Sequence, residues 1–181
     1  MIRVVIATCL IANAWPVAAV PPSALEIVQV YPLPQNPCDL LTPQQVSVAT
    51  GLVVIEMRRV PGIQEIMAAR KQGLDPGPGN ICSYHTGSEF GEINIAIPPQ
   101  AEQNVDHYLE TRDRYFRTFH GSAQAISGLG KDAWISGGTS LHLLVRDDVY
   151  IVITTQMYQR RSREIAINVA REILKQFSAT R

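Results

Sequence analysis

Asn36-Pro37-Cys38-Asp39-Leu40-Leu41-Thr42-Pro43 places a cysteine just before a strong helix-start signal. Ile81-Cys82-Ser83-Tyr84-His85-Thr86 places another inside a run that reads as a strand. In the first stretch Thr42 is the N-cap, and Pro43 takes the first helical position, where its missing N–H costs nothing. Gln45 completes a capping box, and Leu41 and Val46 have hydrophobic-staple spacing. Gly51 ends the helix because glycine adopts positive φ without penalty. Such a helix is about two turns long and marginal alone. A covalent link at its start would compensate.

The chain has three cysteines: Cys9, Cys38 and Cys82. Cys9 belongs to a segment with targeting character. Arg3 supplies the positive end, residues 4–14 are apolar, and Val17-Ala18-Ala19 offers small residues for cleavage. Residues 1–19 are therefore expected to be a signal peptide that carries Cys9 away. Export places Cys38 and Cys82 in an oxidising compartment, where an even count reads as a disulfide. Closing a loop of that length stabilises the chain by about 4 kcal/mol in the loop-entropy treatment. Two alternatives stay open on these residues: a pair of buried thiols, or a metal site in which His85 joins Cys38 and Cys82.

Residues 20–36 hold Pro21, Pro22, Pro32 and Pro34 and read as an extended leader, within which residues 25–31 could form a short edge strand. The domain proper is expected over residues 37–178. Residues 52–60 read as a strand from Val53-Val54-Ile55, broken by Pro61-Gly62. Residues 63–72 suit a short helix or an ordered loop. The glycines of residues 73–80 lack a following Lys-Ser/Thr, so they do not make a phosphate loop. Residues 81–86 and 92–97 form a hairpin, in which Ile93, Ile95 and Ile97 alternate with Glu92, Asn94 and Ala96.

A helix follows over residues 100–119, with Val105, Tyr108, Leu109, Arg112, Phe116 and Phe119 along one stripe. Strands are then expected at 123–126, 131–135, 140–146 and 149–157, with Ser127-Gly128-Leu129-Gly130 as a turn. Residues 149–157 are apolar on both faces, which points to a central strand. In the closing helix, residues 162–177, Ile165, Val169, Ile173 and Phe177 recur every four positions. The order implies an α+β fold: an antiparallel sheet with helices packed on one face, arranged as two similar helix-plus-hairpin halves.

The pattern Pro37-Cys38-Asp39-Leu40-Leu41-Thr42-Pro43, Gly51, Cys82-Ser83-Tyr84 and Gly128-Leu129-Gly130 with Ala133, followed by a terminal strand pair, resembles a family of small exported envelope domains. Its best-known members are actinobacterial lipoproteins of unknown function. The likeness spans about residues 36–177. It implies a paired-cysteine α+β domain and supplies no catalytic residues. This chain departs from the pattern at its start, where Cys9 has no complete apolar region before it and so no lipobox.

Of the 181 residues 46% are hydrophobic and 18% charged, and the formal net charge is zero. That balance suits a packed domain and gives no basic field for nucleic acid. No mature segment has the roughly 20 apolar residues needed to span a bilayer. His85, His107, His120 and His142 share no metal-ligand spacing, and Asp147-Asp148 reads as a turn. No cofactor is expected. Trp134 and Tyr150 beside the glycine loop could form a surface for a ligand or partner, or could be core packing. Arg160, Arg161 and Arg163 form a basic cluster, either an anion grip or a solvated helix start.

Two functional expectations result. The first is a secreted or periplasmic non-enzymatic domain that binds an envelope ligand or partner protein, with Trp134, Tyr150, Arg160 and Arg161 as binding candidates. The second is a hydrolase or metal-dependent enzyme with a dispersed site such as His85, His142 and Asp148. Cleavage after Ala19 is directly testable: amino-terminal sequencing of the protein from the export compartment should begin at Val20, and a start at Met1 would overturn it.

Overall fold

Thr42 starts the first helix, α1 (Pro43–Thr50), through both halves of a capping box. Its Oγ1 accepts from the Gln45 N–H at 3.2 Å, and the Gln45 side chain accepts from the Thr42 N–H at 2.8 Å. Gly51, at φ 68°, closes the helix. A single 3₁₀ turn, Pro37–Asp39, leads into it and is capped by Asn36. The structure, a computed structural model, describes residues 31–87, 91–118, 122–156 and 159–178. The expected signal peptide, most of the expected leader, and Phe119 lie outside these residues.

The strands are β1 (Val54–Val60), β2 (Ile81–Thr86), β3 (Glu92–Ala96), β4 (Ala123–Ala125), β5 (Asp132–Ser136), β6 (Ser140–Arg146) and β7 (Val149–Gln156). They form one antiparallel sheet in the order β1-β2-β3-β7-β6-β5-β4. Helix α2 (Ile63–Gln72) follows β1, α3 (Val105–Thr118) follows β3, and α4 (Gln159–Ser178) follows β7. The protein is thus α+β. β7 is the middle strand of the seven, as its two apolar faces require.

Each half is a helix followed by an antiparallel meander, and the meanders meet through β3 and β7. The expectation that helices share one face of the sheet describes α1 and α4. The main core lies there, with Leu143, Ile151 and Ile153 of the sheet against Val46 of α1 and Val169 and Ile173 of α4. Helix α3 lies on the opposite face, where Tyr108 joins Trp134, Leu144 and Tyr150. The reason is in β6 and β7. Leu143 and Leu144, like Ile151 and Tyr150, are buried on alternate faces, so both faces of the central strands need a cover.

The helix expected from residue 100 divides into a 3₁₀ turn, Gln100–Glu102, and α3. Gln103 divides them by bonding the sheet. Its Nε2 donates to the carbonyls of Pro98 (2.9 Å) and Tyr150 (3.0 Å), and its Oε1 accepts from the Tyr150 N–H at 2.7 Å. Asn104 then caps α3 by accepting from the His107 N–H at 2.8 Å. Gly130 is a further fixed point: it has φ 55°, and a Cβ there would lie 2.6 Å from the Leu144 carbonyl oxygen.

Cys38 and Cys82 form a disulfide with a Cα–Cα distance of 4.9 Å. His85 lies three residues on along β2 and so faces the other side of the sheet. The two sulfurs bond each other, which leaves no Cys38–Cys82–His85 metal site. Tyr84, two residues after Cys82 and on the same face, donates its hydroxyl to the Leu41 carbonyl at 2.7 Å. Burial, with the charge of Asp39, pushes ionisation of that phenol well up, which keeps it a neutral donor.

Replacing Cys38 or Cys82 with serine should lower the stability of the oxidised protein by about 2–5 kcal/mol, read from urea unfolding. An unchanged midpoint and slope would refute the bridge.

Candidate functional site

Trp134 and Tyr150, considered above as a binding surface, are 0% and 3% exposed. They lie under α3 as part of an aromatic stack. The rings of Trp134 and His142 are parallel, 3.8 Å apart with 2° between planes. The hydroxyl of Tyr150 is 2.5 Å from Nδ1 of His142, and Oγ of Ser136 is 3.4 Å from its Nε2. Tyr108 meets Tyr150 edge-on at 5.3 Å, and Tyr115 lies 5.1 Å from Trp134. This cluster is the core of the second face, and burial makes its aromatic area a packing element.

Two members of the basic cluster have described side chains. Arg161 is exposed, Arg163 donates to the Gln124 side chain at 2.8 Å, and the side chain of Arg160 lies outside the described residues. Among the described residues no group of three or more His, Cys, Asp or Glu is placed to hold a metal ion, and no helix is long and apolar enough to cross a membrane.

His85, His142 and Asp148 are not brought together. His85 is on β2 and His142 on β6, three strands or about 14 Å apart across the sheet at normal strand spacing, and offset along it besides, since the His85 row meets β7 at Gln156 and His142 pairs with Val152. Asp148 sits in the β6–β7 turn and pairs with Arg146 at 2.5 Å.

What the sheet does assemble is a polar floor at its β1 end, on the face that α3 covers further along. Cross-strand pairing sets Glu56, His85, Glu92 and Gln156 in one row, and Arg58, Ser83, Asn94, Thr154 and Ser140 in the next. Ser83 Oγ donates to Glu92 Oε1 at 2.5 Å, while His85 Nε2 lies 3.4 Å from that hydroxyl and 3.9 Å from the carboxylate oxygen. A catalytic triad would set the imidazole between hydroxyl and acid, with a different ring nitrogen toward each. Here one nitrogen meets both, the serine gives its hydrogen to the acid, and Ser83 is fully buried. The arrangement is a hydrogen-bonded floor and lacks an activated nucleophile.

The sheet edge beside that floor is more unusual. Among the described residues β1 is the first strand of the sheet order and is paired only with β2. Val53 is 72% exposed, Ile55 68% and Met57 38%; Ile63 and Met67 of α2, and Leu74 after it, are exposed as well. Only Val48 and Phe116 elsewhere among the described residues are large exposed apolar side chains, so residues 53–74 hold most of them. Neither core cluster includes a residue of α2. Exposed apolar side chains such as Ile55 and Met57 on an outermost strand are what folded proteins ordinarily avoid unless something covers them. Sequence reading found β1 as a strand but could not find its exposure, because Val-Val-Ile suits a buried strand equally well.

Compared with known proteins, the chain matches no family model, no curated protein and no solved structure.

The aromatic core carries a pH dependence. Burial holds the His142 imidazole down to about 3, against an ordinary value of 6.5. Between those values the unfolded state binds a proton that the folded state does not, so folding weakens as pH falls from 6.5 toward 3. Above 6.5 both states are neutral and the effect disappears. His142→Phe, which keeps a ring against Trp134, should reduce the loss of stability between pH 7 and 4 by up to about 1.4 kcal/mol per pH unit below 6.5. Urea midpoints measured across that range check it. An identical slope in both proteins would show that His142 titrates normally.

Proposed function

We propose that this protein is an exported, non-catalytic domain that binds a partner protein at its β1–α2 end. The observation that carries the reading is the concentration of exposed apolar side chains at residues 53–74, on the outermost strand of the sheet among the described residues and in the segment that follows it. Open edges recruit strands through main-chain hydrogen bonds, and neighbouring apolar side chains supply the contact area. Export is supported by the leading apolar segment, by a Cys38–Cys82 bridge suited to an oxidising compartment, and by the likeness of the 37–43 and 82–84 stretches to exported envelope domains. A binding role without chemistry accords with a Ser83–His85–Glu92 cluster whose hydrogen bonds are turned away from catalysis.

Site-specific photo-cross-linking in the export compartment tests the reading. A photoreactive residue at Met57 or Met67 should give covalent protein adducts, and one at Asp113 on α3 should not. Equal labelling at all three positions, or no adduct at either of the first two, would sink it.

A further inference from the structure

We propose that the β1 edge pairs antiparallel with the same edge of a second copy of this chain, with Met57 opposite its own equivalent. The proposal rests on the reading of the β1–α2 end as an interaction surface, and it names the partner. Among the described residues no strand pairs with the outer side of this edge, and every residue of β1 between its two ends is exposed. A two-fold axis through such an edge, normal to the sheet, keeps each face of one copy continuous with the same face of the other. Residues that meet must therefore share a face, which leaves few allowed registers.

Charge separates those registers. With Met57 at the centre, Glu56 of each copy meets Arg58 of the other, giving two opposite-charge pairs on the polar-floor face. Centring on Glu56 sets two carboxylates against each other, and centring on Arg58 or Arg59 sets two guanidinium groups together. Centring on Ile55 overlaps the strand only over residues 54–56, where the β1–β2 ladder shifts register. That bulge, with Arg58 and Arg59, blunts the edge against arbitrary strands. The run Glu56-Met57-Arg58 is nonetheless complementary to itself. Arg59 donates through Nε to the Gly79 carbonyl at 2.6 Å, so its charge is held on its own chain while its stem remains beside Ile55 of the second copy.

Sedimentation equilibrium of the mature chain measures the association. The wild type should dimerise, and Glu56→Arg or Arg58→Glu alone should weaken the dimer by roughly tenfold, because each variant turns two attractive pairs into two repulsive ones. The double variant Glu56→Arg/Arg58→Glu should restore wild-type affinity. Met57→Cys in the wild-type background should form an intersubunit disulfide under oxidation faster than Ile55→Cys or Arg59→Cys. A wild type that stays monomeric at every concentration, or a double variant no better than the singles, overturns the proposal. A monomer that still yields adducts with a different protein at Met57 and Met67 overturns it while leaving the partner-binding reading in place. A monomer without such adducts removes both.

Discussion

The fold depends on how the segment before α1 is fastened to β2. Cys82 and Tyr84 alternate to the same face of β2; one forms the disulfide to Cys38, and the other bonds the Leu41 carbonyl. Leu40 and Leu41, between these two attachments, are almost wholly buried. A helix of eight residues has too few internal hydrogen bonds to hold itself. Fixing its start at two points sets the position of Val46, and through it the contact between α1 and α4 over the sheet. The cysteine and tyrosine spacing is therefore a strand device: a period of two puts a covalent bond and a hydrogen bond side by side.

The sheet changes character along its width. Its middle, β7 and β6, is apolar on both faces and takes α4 on one and α3 on the other. Toward β1 the face under α3 becomes polar, with Ser83, His85, Glu92 and Asn94 where the aromatic stack stands further along. The change also runs from row to row: Glu56, His85, Glu92 and Gln156 are cross-strand neighbours in a polar row, whereas Val60, Ile81, Ala96, Val152, His142 and Trp134 form an apolar row whose far end is the core of the second face. The buried imidazole belongs to that apolar end. Its stack on Trp134 and its bond to the Tyr150 hydroxyl suit the neutral ring.

Most of the α+β architecture could be read directly. Capping chemistry located α1, period-two alternation located the β2–β3 hairpin, and two apolar faces marked β7 as central. The position of α3 was not readable, because a stripe on a helix reveals that one side is covered and leaves open which face of the sheet covers it. Gln103 gave no sign of dividing the helix, since its bonds reach a strand 47 residues away. Trp134 and Tyr150 could equally suit a surface or a core, and only the packing of α3 distinguishes the two. Exposure of β1 depends on strand order, which local pattern does not carry.

What the sequence determined by itself is what nearest neighbours along the chain decide: the Thr42–Gln45 capping box, the glycine at the end of α1, the strand periods, and a cysteine pair suited to a bridge. What only the tertiary structure decided is which faces and edges remain open. Placing β7 at the centre sends β1 to the margin, gathers Glu56, Arg58, Ser83, His85 and Glu92 on one polar floor, and buries the aromatic residues under α3. The physical reason is range: caps and turns close within a few residues, whereas burial and strand pairing are settled by contacts between segments far apart in sequence.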